Sequence, residues 1–333
     1  VVSQSTTKKT TNEPLPLMDP SDIKTHEDIV KFIKGCYQLK PDKIIISETK
    51  WKYLIRAALR GRNIMMTGSA GCGKTVIAMS IPQVLKRPFF RFNLGQTGDP
   101  KSYLIGNTHA SKDRGTYFDE SEFVRAIKTE NAVIMLDELS RAHPDAWNIL
   151  MPVLDLNQHY LRLDESSSNG TPVDIQVAPG VCFIATANIG SEYTATRIID
   201  KAMTDRFSIV EVDVLNESQE FSLLKKLFPN VPEPMLKAIA GTAHDTRMEV
   251  QKPTPELHTI ISTRMSVETA DLINDGFSLQ DAAEVAIYPF FPQESNERQL
   301  IKALFQKRMT IDATTADDNE NLFTDDDFKN AVL

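Results

Sequence analysis

Eight consecutive residues, Gly68-Ser-Ala-Gly-Cys-Gly-Lys-Thr75, restrict the fold of this chain more than any other stretch of its sequence. They match G-x-x-x-x-G-K-[ST], a pattern that works in only one setting. Its glycines let successive backbone N–H groups turn inward around an anion, and a helix starting where the loop ends adds its positive N-terminus. The loop therefore needs a buried strand before it and a helix after it. The apolar run Ile64–Met66 and the segment Val76–Leu85 meet both needs. Gly68, Ser69, Ala70, Gly71, Cys72, Gly73, Lys74, Thr75 and Val76 are then expected to surround a triphosphate. Lys74 reaches its β- and γ-phosphates, and the Thr75 hydroxyl goes to Mg²⁺. Pro82, inside the following helix, is expected to kink or shorten it.

A strand–loop–helix unit of this kind belongs to a parallel sheet, and the alternation continues downstream. Asn63–Thr67, Phe89–Leu94, Val133–Asp137, Val181–Thr186 and Ser208–Val214 are short, nearly continuous apolar runs, as buried parallel strands are. Helical stretches fall near 75–86, 121–130, 144–156 and 196–204. The expectation is an α/β P-loop domain with helices on both faces of a parallel sheet. Gly106–Phe118 and His159–Ala178 carry turn chemistry between alternating segments and read as inserted hairpins. After about 215 the strands stop. Segments 217–228, 233–246, 255–262, 265–275, 279–287 and 294–308 read as helices of a smaller all-α lid domain.

The expected division is an N-terminal arm over 1–42, partly disordered, then an α/β domain over 43–215. The lid over 216–315 and an acidic tail over 316–333 follow. Within the arm, 21–40 has room for a short helix with Ile23, Ile29, Phe32 and Ile33 on one side. Ser47 caps the next helix, and Gly61 ends it.

Polar residues at the strand ends suggest the chemistry. Asp137 and Glu138 close the run Ala132–Leu136. An aspartate at that tip holds the magnesium shell, and its neighbour polarises the attacking water as general base. Asn188 ends the next strand, where its amide can bond the γ-phosphate or orient the water. Asn93, at the end of Phe89–Leu94, is placed to contact Glu138 and keep it idle when nothing is bound. Arg206 precedes the strand Ser208–Val214, at a subunit edge from which it reaches a neighbour's γ-phosphate; the alternative is a surface ion pair with Asp205. Arg264 opens a helix of the second domain, placed to touch nucleotide. Arg141 and Arg197 are further candidates without an assigned place.

Composition narrows the partners. With 37 Lys and Arg against 45 Asp and Glu, the net charge is −8, so the overall field does not draw the chain to nucleic acid. Lys101, Lys112, Arg114 and Arg162, in the two hairpin segments, leave a local phosphate track open. No run reaches the ~18 apolar residues that cross a bilayer, and the polar first residues hold no apolar signal segment. Cys36, Cys72 and Cys182 are scattered, without disulfide or zinc spacing. A cytoplasmic protein with reduced thiols and no membrane partner is expected. The six histidines are dispersed and suggest neither a metal nor a covalent-nucleophile enzyme.

The run Asp137-Glu-Leu-Ser-Arg-Ala-His-Pro-Asp145, the Ala-Thr-Ala-Asn188 strand end and the Asp205-Arg-Phe207 triplet together resemble the AAA+ superfamily. Within it, they resemble the MoxR-like ATPases, including the cobaltochelatase small-subunit (CobS) type. The likeness covers about 60–275. It implies the two Walker motifs at 68–75 and 133–138, sensor 1 at Asn188, an arginine finger at Arg206 and sensor 2 at Arg264. The 106–118 segment then corresponds to the helix-2 insert and 159–178 to the pre-sensor-1 hairpin, both facing a pore or rim. The resemblance also implies ATP hydrolysis with Mg²⁺ in a hexameric homo-oligomer. A partner with a von Willebrand A domain, and a protein client that is remodelled or loaded with metal, are implied as well. A nucleic-acid motor or loader is the alternative. The second domain matches only around Arg264, which leaves open whether that residue acts on its own nucleotide or a neighbour's.

Overall fold

The computed structural model describes residues 18–111, 115–163, 172–188, 199–291 and 296–316. Helices α1 (His26–Gly35) and α2 (Glu48–Leu59) precede strand β1 (Ile64–Thr67) and helix α3 (Lys74–Leu85). Then come β2 (Phe89–Asn93), α4 (Pro100–Leu104), β3 (Gly106–Ser111), β4 (Gly115–Glu120), α5 (Glu122–Ile127) and β5 (Val133–Asp137). The segment continues through α6 (Pro144–Leu154), β6 (Tyr160–Leu163), β7 (Val173–Gln176), β8 (Cys182–Ala187), α7 (Lys201–Thr204) and β9 (Ser208–Glu211). The remaining elements are helical: α8 (Glu217–Leu227), α9 (Glu233–Val250), α10 (Thr263–Asn274), α11 (Leu279–Ala286) and α12 (Glu297–Ala316).

Five strands form a parallel sheet in the order β2-β5-β8-β1-β9. Side chains alternate across it, as a period of two requires. Val133 and Met135 of β5, Cys182 and Ile184 of β8, and Ile64 and Met66 of β1 enter one core, with α2 and α3. Ile134, Leu136, Phe183, Ala185 and Met65 enter the other, with α5 and α6. Burial on both faces is why these strands are continuously apolar in sequence. The two expected hairpins are antiparallel pairs, β3 with β4 and β6 with β7. A third apolar cluster belongs to the helices after β9. Among the described residues no helix is long and apolar enough to cross a membrane.

Several expectations are corrected. From Met18 onward the supposed arm is packed: Phe32 and Cys36 are buried in the α2–α3 core, and Trp51 Nε1 donates to Cys36 O at 3.0 Å. Residues 1–17 and the tail from 317 lie outside the described residues. Pro82 does not shorten α3, which runs on to Leu85. Its missing N–H falls only one turn from the helix end, and the residue is buried. The chain turns instead at Lys86, in the left-handed region at φ 51°. The expected helix over 255–262 is absent. Pro253 and Pro255 remove N–H donors there, and α10 begins at Thr263, capped by Ser262. Strand β9 stops at Glu211, level with Thr67, the last residue of β1, its one neighbour among the described residues. Of the expected helix 196–204, Lys201–Thr204 is helical and 196–198 falls outside the described residues.

Candidate functional site

Strand register brings the polar tips together. Thr67 is level with Ala187, Leu136 with Ala185, and Asn93 with Asp137. The loop after β1, the Asp137–Glu138 tip of β5 and Asn188 after β8 therefore share one edge of the sheet. Neighbouring strands lie about 4.8 Å apart, so β1 and β5 tips sit about 10 Å apart.

The loop from Gly68 to Gly73 carries left-handed glycines at positions 68, 71 and 73, with φ 145°, 77° and 93°. At Gly68 a Cβ would lie 2.4 Å from the Val212 carbonyl oxygen, so only glycine fits there. Gly73 is the N-cap of α3, which opens with Lys74. The buried Lys74 ammonium donates to Gly68 O at 2.8 Å and Ser69 O at 2.7 Å. Burial above all, and the Arg264 charge, pull its pKa below the usual lysine value, while Cys72 and Asp137 oppose the shift. Thr75 is half-buried and Val76 exposed on the first turn.

Asp137 is buried and held from both sides. Thr186 Oγ1 of β8 donates to one carboxylate oxygen. Arg91 of β2 donates to the other through Nε at 3.1 Å and through Nη2. Thr186 Oγ1 also accepts the Glu138 N–H at 3.0 Å. Neither Arg91 nor Thr186 stands out in sequence. The available signal was alternation: Arg91 precedes Asn93 by two on β2, so both face the side to which Asp137 projects. Thr186→Val keeps the side-chain shape and removes both bonds. The expected loss is about 1–3 kcal/mol of stability, read from the urea midpoint; an unchanged midpoint would show that the two bonds contribute nothing.

Glu138 itself is left-handed at φ 57°, an uncommon state for a residue with a Cβ. Its side chain lies against Gly95 and 3.6 Å from Arg141 Nη1, which gives Arg141 a place. Asn93 Oδ1 accepts the Gly95 N–H at 3.0 Å. Asn93 thus caps the turn against which the Glu138 side chain lies. The Asn188 N–H donates to Ser140 Oγ at 3.3 Å, tying the β8 end to the turn after β5.

Arg264 stands over its own chain's loop. A Cβ added at Gly71 would be 2.9 Å from Ser262 Cβ and 3.8 Å from Arg264 Cβ. The first turn of α10 therefore rests on the loop backbone. Gly71→Ala combines this clash with a positive φ. The expected strain is about 1–3 kcal/mol, with weaker nucleotide binding of the same size in a fluorescent-nucleotide titration. Wild-type affinity would show that the loop and α10 separate freely.

Arg206 lies elsewhere. It precedes β9, whose first residue is level with Ile64, so it stands at the strand-start edge while the loop follows the strand ends. Four residues of β1 separate these edges by about 13 Å. Its guanidinium donates to Met151 O at 3.1 Å, Ala202 O and Asp155 Oδ2 at 3.3 Å. Asp155 is thus its ion-pair partner, in place of the Asp205 alternative. Buried Asn63 bonds Leu154 O and Arg206 O through its amide, pinning this segment to the start of β1. Arg197, Lys112 and Arg114 lie outside the described residues.

The residues present fit a divalent cation with a nucleotide. Thr75 and Asp137 offer hard oxygen donors of the kind Mg²⁺ takes. The buried Asp137 carboxylate is already balanced by a cationic side chain, Arg91, that is 45% exposed. Positive charge is what this position accommodates.

Residues 63–207 match the family model for the AAA domain of the dynein-related subfamily. Residues 223–308 match the CbbQ/NirQ/NorQ C-terminal model. A relative from Thauera aromatica named "Putative chaperone BssE" is 30% identical over 226 residues, covering 68% of this chain and 74% of that protein. A mitochondrial Lon protease homolog from Dictyostelium discoideum is 32% identical over 180 residues, covering 51% of this chain but 17% of that protein. A solved mutant of Thermotoga maritima RuvB is 15% identical, with a TM-score of 0.47, covering 72% of this chain and 70% of that one.

Proposed function

Because the chain belongs to the AAA+ ATPases of the MoxR and CbbQ type, we propose that it hydrolyses Mg·ATP in a ring of identical subunits and uses that cycle to remodel a protein client. One observation carries the reading. Lys74, the Asp137–Glu138 tip and the chain's own Arg264 converge on one edge of the sheet, while Arg206 stands on the other.

In this scheme the loop N–H groups and Lys74 bind the phosphates. Thr75 and Asp137 would hold magnesium, which when bound neutralises charge on the phosphate oxygens. Glu138 accepts a proton from water as the water oxygen bonds to the γ-phosphorus and the bond to the bridging oxygen breaks. Asn188 orients that water. Arg264 meets the nucleotide of its own chain, and Arg206 completes the pocket of an adjoining copy. A guanidinium supplied in this way stabilises the charge spread over the phosphoryl oxygens.

A protein client is favoured by the chaperone name of the Thauera relative. A von Willebrand A domain partner and metal loading of the client, as in the cobaltochelatase type, are narrower forms of the same proposal. The nucleic-acid alternative keeps Lys101 and Arg162 as its described basic residues, in a chain of net charge −8; hydrolysis stimulated by DNA and weakened steeply by salt would favour it.

The test is assembly and turnover together. Scattering mass is expected to rise to a ring, six copies in this proposal, on adding Mg·ATP, with low basal hydrolysis that a partner raises. Full hydrolysis by a strict monomer would remove the ring from the mechanism.

A further inference from the structure

Between the α/β domain and α10 lies a buried ion pair that no step above uses. Arg247 of α9 is 4% exposed and Glu220 of α8 is 0% exposed, and Arg247 Nη1 donates to Glu220 Oε2. As a stabilising device the pair is inefficient, because desolvation offsets most of the attraction between buried charges. Among the described residues, Glu220 Oε1 and Arg247 Nε also have no hydrogen-bond partner.

Its attachments are more informative. Arg247 Nη1 donates to Leu215 O at 2.7 Å, in the connection between β9 and α8. Nη2 donates to Ile261 O at 2.9 Å. Ile261 immediately precedes Ser262, the N-cap of α10, and its N–H donates to Thr246 Oγ1 at 3.1 Å. Beyond that turn, Ser262 rests on Gly71 and Arg264 follows. One planar guanidinium thus joins the connection between the domains to the segment that presents Arg264.

We propose that Arg247, held in place by Glu220, is a positioning residue for Arg264. It sets the spacing between the interdomain connection and the first turn of α10, and so fixes where Arg264 stands over the phosphate-binding loop. The donors of a guanidinium lie in a rigid fork, and two of its nitrogens here span carbonyls from separate segments; a lysine ammonium is a point charge on a flexible stem and cannot hold that spacing. This proposal rests on Arg264 meeting the nucleotide of its own chain.

The experiment compares the full chain with Arg264→Ala, Arg247→Lys and the double variant Glu220→Met/Arg247→Met. Each is measured for its thermal midpoint and for the ratio of fluorescent ATP to fluorescent ADP affinity in Mg²⁺. Arg264→Ala is expected to lower that ratio on the order of 5- to 100-fold, the usual range of coupling between sites. Both Arg247 variants should lower it by a similar factor. The double variant replaces the buried charges by an apolar pair but leaves the Leu215 and Ile261 carbonyls without Arg247, so its midpoint is expected to fall moderately. Should the double variant not fold, Arg247→Lys, which keeps a cation opposite Glu220, carries the test. A folded Arg247 variant with the wild-type ratio overturns the proposal. So does an unchanged ratio in Arg264→Ala, although the ATPase reading then survives. Only failure of the wild-type chain to take up Mg·ATP would sink that reading itself.

Discussion

Glu138→Gln is expected to bind Mg·ATP as the wild type does and to turn it over about 10²–10⁴-fold more slowly, the usual contribution of a positioned general base. The amide has the size of the carboxylate and keeps the packing against Gly95. The backbone bond from the Glu138 N–H to Thr186 is unaffected, so the left-handed turn that aims the side chain survives. What disappears is the capacity to accept a proton. The ion pair with Arg141 disappears too, but both side chains are partly exposed, and a pair of this kind contributes little to stability. Equilibrium titration and single-turnover hydrolysis separate binding from chemistry. Wild-type turnover would remove Glu138 from the mechanism; lost binding would make it part of the nucleotide cradle instead.

The second large effect concerns Arg206. In an assembled ring, Arg206→Ala is expected to slow hydrolysis by about 10³-fold or more, the range for an arginine supplied to a phosphoryl group. Its position at the strand-start edge keeps it from the loop of its own chain, which makes a mixing test decisive. Arg206→Ala copies have a complete Glu138 pocket, and Glu138→Gln copies have an intact Arg206. Each is expected to turn over slowly alone. Mixed rings should regain activity wherever the first type's pocket adjoins the second type's arginine. No recovery on mixing, with assembly verified, would place Arg206 in its own chain's structure, where the bonds to Met151 O and Asp155 already anchor it.

The legible part of the site was the part written in contiguous residues. Gly68–Thr75 announces strand, turn and helix in order, and Asp137–Glu138 ends an unbroken apolar strand. Arg91 and Thr186 were not legible, because each touches Asp137 from a different strand. Their contacts depend on the β2–β5 and β5–β8 registers. The same reason explains Asp155 in place of Asp205 beside Arg206: the partner comes from the end of α6, not from the next residue. The misplaced helix over 255–262 is a different failure. Pro253 and Pro255 withhold N–H donors that a helix would need there, and the capping residue Ser262 marks where α10 starts.

The sequence by itself determined the class of fold, the phosphate-binding loop and the acidic strand tip, because backbone conformation and apolar period are local properties that each segment carries with it. Tertiary structure alone decided that Phe32 and Cys36 enter the α2–α3 core, that Arg264 stands over its own loop, and that Arg247 ties the turn before it to the interdomain connection. Those facts depend on how separately folded surfaces meet, and the free energy that selects a docking belongs to pairs of distant residues, which no local pattern encodes.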